Sequence, residues 1–161
     1  MHVNNTINQI LDQLSSIISQ LDDNEYSLSL PILNHQTIGK HARHIIEFFI
    51  ELTNDKPFIC YDDRKRDLNL ENSVSYTLQS IEDLKIKIKQ LDFNELKTFK
   101  QLLDCETITT STSVGREMIY CIDHGIHHFA IIKIALKDAL PHVHISNNFG
   151  VAYSTIKYQN K

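Results

Sequence analysis

The chain has 161 residues, of which 42% are hydrophobic and 22% charged, with 4 Gly and 3 Pro. That length points to a single domain spanning residues 1–161 that can bury its own core, and so few Gly and Pro argue against a loop-rich or all-β fold. A net charge of −4 with a pI near 6.1 offers no basic field for nucleic acid or an anionic membrane.

Cys60, Cys105 and Cys121 are far apart and odd in number, and no C-x-x-C occurs. They read as free thiols of a reducing compartment, so a cytoplasmic location is expected. The opening residues MHVNNTINQILDQL lack a basic stretch leading into an apolar block, so no signal peptide is expected. No apolar run approaches the ~20 residues of a membrane span.

In chain order, Ile7, Ile10, Leu11, Leu14, Ile17, Ile18 and Leu21 recur at helical spacing and predict a first amphipathic helix. Pro31 lies in the break that follows. A second helix is predicted from an N-cap at Thr37 through IGKHARHIIEFFIELT, ending before Pro57. The polar stretch CYDDRKRDLNLE follows as a loop. A third helix covers about 72–91, with Val74, Leu78, Ile81, Leu84, Ile88 and Leu91 on one face. Residues 92–112 have no helical period, and CETITTSTS alternates like a short strand or extended segment. The fourth helix runs from Ser113 to about Lys137, and Pro141 ends it. The tail reads as loop and extended chain with one short helical turn. Four long amphipathic helices predict an all-α four-helix bundle.

The fourth helix contains CIDHGIHHFAIIKIAL, with imidazoles where an apolar helix would place leucines. At about 100° per residue, His124 and His128 fall on the inner face with Val114, Cys121, Gly125, Ile132 and Leu136, and His127 lies at its flank. Each buried imidazole has two nitrogens that need partners. A divalent metal satisfies one on each, and H-x-x-x-H on a helix is a metal-ligand spacing. His41 and His44 of the second helix can supply a third imidazole. The wheel places His41 nearer the apolar stripe of Ile38, Ile45, Phe49 and Leu52. The plainer reading is a set of hydrogen-bonded core histidines.

Glu117 lies on the same face, nearer the start of that helix. It is a candidate general base or a carboxylate that orients an imidazole, against the plainer reading of a first-turn glutamate favoured by the helix dipole. His127 is a second candidate assistant in catalysis. Arg64 and Arg66, in the loop after the second helix, are candidates to hold an anionic group of a substrate; the plainer reading is a solvated charge run. A di-iron carboxylate site is excluded, because the paired Glu-x-x-His motifs it needs are missing.

TIGKHARHI in the second helix and DHGIHH in the last resemble the DinB-like (YfiT/DinB) superfamily, with a match running from the first helix to the fourth. The resemblance implies a four-helix bundle, often dimeric. It implies a metal site formed by one histidine of the second helix and the H-x-x-x-H pair of the last, which are His44, His124 and His128 here. It also implies a divalent-metal-dependent transferase or isomerase chemistry that uses low-molecular-weight thiols, with Zn or Ni as the expected ion and a homodimer as the expected assembly. Many members follow the pair with Arg-Gly-Gln, where this chain has Phe129, Ala130 and Ile131. The alternative expectation is a non-catalytic helical bundle that binds a metal or a ligand.

Overall fold

The first apolar stripe does form a helix, α1 (His2–Ile18), and Ile7, Ile10, Leu11, Leu14, Ile17 and Ile18 are all buried. The computed structural model describes residues 2–159, with side chains from residue 5 onward. Two short helices, α2 (Asp23–Tyr26) and the 3-10 turn Pro31–Leu33, lead into α3 (Ile38–Leu52). Strand β1 (Phe58–Ile59), a 3-10 turn at Tyr61–Asp63 and helix α4 (Asn69–Asn72) precede α5 (Val74–Ile88). The hairpin β2 (Leu96–Leu103) and β3 (Glu106–Ser113) runs directly into α6 (Val114–Ala139), and α7 (Tyr153–Gln159) closes the described chain.

Side-chain caps fix where the long helices start. The Thr37 hydroxyl accepts from Lys40 N–H at 2.8 Å to open α3, and the Ser113 hydroxyl accepts from Arg116 N–H at 3.2 Å to open α6. Helices α1, α3, α5 and α6 then pack their apolar faces into one continuous core. No helix among the described residues is long and apolar enough to cross a membrane.

The expectation of an all-α four-helix bundle is overturned. The fold is mixed, with seven α-helices and a three-stranded sheet ordered β1-β2-β3 among the described residues. β1 pairs parallel with β2 through Phe58↔Thr98 and Ile59↔Phe99, and β2 pairs antiparallel with β3 from Leu96↔Ser113 to Leu103↔Glu106. Asp104 turns the hairpin with φ of +53°, a conformation that Asp tolerates better than most residues. The strand-like alternation of CETITTSTS is realised as β3, although β3 is exposed along most of its length and has no buried face for apolar periodicity to mark. Its β-branched Thr and Ile residues suit a strand for local reasons alone.

Gly39 sets how closely α3 approaches α4. A Cβ there would fall within contact distance of the Glu71 carbonyl oxygen and 2.9 Å from its carbon, and backbone cannot swing aside. Gly39→Ala is therefore expected to cost about 1–3 kcal/mol of stability, in the range of core overpacking. Urea denaturation measures it, and a loss under about 0.5 kcal/mol would show that the helices separate freely.

Candidate metal centre

Helices α3 and α6 pack against each other, close enough that a Cβ at Gly125 of α6 would stand 3.6 Å from a methyl carbon of Ile45 on α3. His124 and His128 are one turn apart on α6, so their side chains stack along the same face. His44 meets both from α3. Ring centroids are 5.0 Å apart for His44 and His124, 4.7 Å for His44 and His128, and 4.7 Å for His124 and His128. One ligand atom from each of the three, all half-buried, lies within 4.8 Å of the others. Three imidazoles so placed can hold a metal ion. Around a tetrahedral ion with bonds of about 2.0–2.1 Å the nitrogens would sit about 3.3 Å apart, so the rings need only a small inward tilt.

A second observation fits a metal. The Nε2 atom of His124 is buried with no hydrogen-bond partner, and a buried nitrogen without a partner is costly. Burial lowers the pKa of all four imidazoles of the cluster, to about 4 for His44 and about 3 for His128. Arg64 adds to the effect at His44, and the neighbouring imidazoles add to it at His128. The cluster is therefore neutral near pH 7, the protonation state in which imidazole binds metal.

His41, one turn before His44, takes a different place. Its Nδ1 lies 2.9 Å from Nδ1 of His128. Where His128 is the donor in that bond, its Nε2 lone pair is free for an ion, and His41 becomes the partner that fixes ring orientation. Arg64 acts on His44 in the opposite sense. Its guanidinium donates to His44 Nδ1 at 3.0 Å, which leaves the His44 proton on Nε2.

Arg64 is itself held by Glu47 Oε2 at 3.3 Å and by the Tyr61 carbonyl at 2.7 Å. Glu47 also accepts from Asp67 N–H at 2.9 Å and faces Arg43 at 3.8 Å. Gln36, Lys40, His41, Arg43, His44, Arg64, Arg66 and His128 line a cavity of about 300 Å³ over the cluster. Arg66 is exposed at its mouth, and among the described residues no ion pair holds it.

The two expected assistants are placed apart. His127 is exposed, with its ring centroid 5.6 Å from that of His128. Glu117 lies two helical turns before His124, about 10 Å along the axis. It accepts from Tyr61 O–H at 2.9 Å, Thr112 O–H at 2.7 Å and an Arg116 N–H at 2.7 Å. The Cys121 thiol is buried beside Tyr61, and burial raises its pKa to about 12, so it offers no thiolate. Glu47, Phe48 and Tyr61 were not singled out in the sequence. A glutamate three residues after His44 on a buried helix face was the available signal for Glu47.

No protein-family model, curated protein or solved structure matches the chain.

Glu47 is buried, and removing it takes from Arg64 its carboxylate partner beside the cluster, while Arg43 keeps Glu71 at 3.3 Å. Glu47→Ala is expected to cost about 3–5 kcal/mol, the usual penalty for breaking a buried ion pair from one side. Denaturant unfolding reads this loss, and a change below about 1 kcal/mol would mean that water reaches the Arg64 guanidinium.

Proposed function

We propose that the protein is a divalent-metal-dependent enzyme in which His44, His124 and His128 hold one ion, with Zn or Ni the expected metal. The observation that carries this reading is the convergence of three half-buried imidazoles from two helices beneath an open, cation-lined cavity. Three protein ligands leave a position for water or substrate, the arrangement of catalytic rather than structural sites. A bound divalent ion supplies Lewis acidity and a lowered pKa to a coordinated thiol or water. His41 orients His128, and Arg66 together with Arg64 receives an anionic group of the substrate. His127, beside His128 and exposed, is placed to carry a proton between site and solvent, whereas Glu117 is committed to its three donors. The resemblance to the DinB-like superfamily supports a transferase or hydrolase acting on a small molecule, with a low-molecular-weight thiol as cosubstrate, and a homodimer. The cysteine pattern supports a cytoplasmic location.

The second reading is a non-catalytic protein that binds a metal or ligand. The Arg64–His44 contact favours it, because a fixed cation already rests on one of the three imidazoles.

Elemental analysis after dialysis against Zn²⁺ or Ni²⁺ is expected to give one ion per chain, falling to none in His124→Ala while the far-ultraviolet circular dichroism is unchanged. The core does not depend on the ion, so chelator should leave the wild-type fold intact. Collapse on chelation would make the metal structural. Turnover of a thiol with an electrophile by the loaded protein, lost in His124→Ala, supports the enzyme reading; metal binding without turnover supports the second.

Arg64→Gln tests the electrostatics of the site. It removes a positive charge and frees His44 Nδ1 from a donor, so Zn²⁺ affinity by calorimetry is expected to rise about 10-fold or more. Unchanged or weaker binding would show that Arg64 supports the site instead of opposing the ion.

A further inference from the structure

The β2–β3 hairpin stands out from the body of the molecule as a ribbon. Every residue from 101 to 111 is exposed. β1 reaches only Thr98 and Phe99 of β2, so the outer part of the hairpin, residues 100–103 with 106–109, has no third strand. A two-stranded ribbon by itself is marginal in water. Its root is better held. The Thr112 hydroxyl donates to Glu117 at 2.7 Å, and the face that carries Thr112 closes a second cavity of about 300 Å³ against Phe48, Tyr61 and Tyr120.

β3 is the outer strand of the sheet, and its register with β2 runs without a bulge from Leu96↔Ser113 to Leu103↔Glu106. One step beyond that register, Val114 N–H donates to the Glu95 carbonyl at 2.9 Å. Hydrogen-bonded pairs alternate along an antiparallel ladder, so Thr112, Thr110, Ile108 and Glu106 turn their N–H and C=O groups to β2. The donation from Thr98 N–H to the Pro57 carbonyl, at 3.2 Å on the β1 side, fixes the same alternation from the other edge. The backbone groups of Thr107, Thr109 and Ser111 therefore point to the open edge. Native proteins guard such an edge with Lys, Pro or a bulge. β3 has none of these, and its one charge is Glu106 at the hairpin end.

We propose that β3 pairs antiparallel with β3 of a second copy, joining the two hairpins into one four-stranded ribbon. A two-fold axis normal to the sheet brings odd positions against odd and even against even. Centred on Thr110, it sets Thr109 against Ser111 and Thr107 against Ser113, so the outward groups bond each other. The same register sets Ile108 against Thr112 and covers part of an apolar side chain that is exposed in the single chain. It also sets Glu106 against Val114 of the second copy, on the face that carries α6. Arg116, in the first turn of that helix and 62% exposed, then meets the Glu106 carboxylate. This charge match selects a second copy over an unrelated strand, because β3 has an acid at one end and a base just past the other. The pairing makes no use of the histidines. It shares only the dimer with the proposed function, and it gives that dimer its surface.

Sedimentation velocity of the full chain from about 1 to 300 µM, the range of a modest interface, is expected to move from 18.6 kDa toward twice that mass. Thr109→Pro removes an outward N–H that β2 does not use, a change an edge strand tolerates. It is expected to leave a monomer with unchanged far-ultraviolet circular dichroism, while Thr109→Val keeps the N–H and the dimer. Glu106→Lys sets two cations together and is expected to weaken association about 3-fold or more. Ile134→Asp, on the exposed outer face of α6, is expected to change nothing. Amide exchange of the wild type, read by NMR, decides the question even where the proline variant fails to fold. The amides of Thr107, Thr109 and Ser111 are expected to exchange about 10-fold more slowly in concentrated than in dilute protein. Equal exchange at both concentrations would overturn the pairing, as would a dimer that survives Thr109→Pro. A dimer dissolved by Ile134→Asp and not by Thr109→Pro would move the interface to α6. A monomer at every concentration would remove the pairing and the expected dimer together.

Discussion

A single buried carboxylate organises the histidine side of the molecule. Glu47 sits on the inner face of α3, and an unpaired ion there would be several kcal/mol out of balance. The chain meets this demand by bringing three positions to it. Arg43 comes from the preceding turn of the same helix, and Arg64 and the Asp67 amide come from the loop after β1. The loop is thereby drawn over α3, its 3-10 turn places Tyr61 against Phe48, and the guanidinium of Arg64 comes to rest on His44. Arg66 reaches the mouth of the cavity as a consequence of the same path. The cation-rich opening over the cluster thus follows from one charge in the core.

Phe48 divides the interior that this arrangement creates. On one face it carries His124, and on the other Tyr61. The stack holds the His124 ring in place by packing instead of hydrogen bonding, which accounts for a buried nitrogen that still lacks a partner. It also keeps the two cavities chemically distinct. The first has imidazoles and guanidiniums around it, and the second has aromatic rings and hydroxyls. Glu117 belongs to the second, where its three donors bind the hairpin and the Tyr61 turn to the start of α6. A buried glutamate in the first turn of α6 therefore reports sheet docking more than acid–base chemistry.

The positions of the long helices were legible because burial imprints a period of about 3.6 on the sequence. Ile7 to Ile18, Ile38 to Leu52 and the face of α5 carry that stripe, and the caps at Thr37 and Ser113 mark two of the starts. Of the sheet only β3 was legible, through the alternation of CETITTSTS, and β1 and β2 were not, because the strands bury little. Lys97, Lys100 and Gln101 interrupt any apolar alternation in β2, and the turn uses Asp104-Cys105 where a sequence reader looks for Asn-Gly. The inward pair His124 and His128 could be read from one helix alone. The choice between His41 and His44 could not, because both lie on the side of α3 that meets α6, and only the packing of the two helices separates them. His44 completes the cluster, and His41 reaches His128 from a turn away. The Arg64 contact was out of reach as well, since it depends on a loop path fixed by Glu47.

The proton positions around the cluster bring these threads together. A neutral imidazole carries one proton, so whatever partners Nδ1 decides what Nε2 can do. A guanidinium only donates, and at His44 it takes the Nδ1 lone pair and leaves a proton on Nε2. At His128 the Nδ1 partner is another imidazole, which can accept as readily as donate, so Nε2 there is free to present a lone pair. At His124 Nε2 has no partner at all. The three ligands are therefore unequal: one is ready, one can become ready by a proton shift within the His41–His128 pair, and one is opposed by Arg64. An arriving cation repels the guanidinium and favours the other tautomer of His44 at once, so both effects push Arg64 the same way. What resists them is Glu47 and the Tyr61 carbonyl, which hold Arg64 from behind. The readiness of the histidine cluster is in this sense set by the loop from Tyr61 to Asp67, and through it by the buried charge on α3.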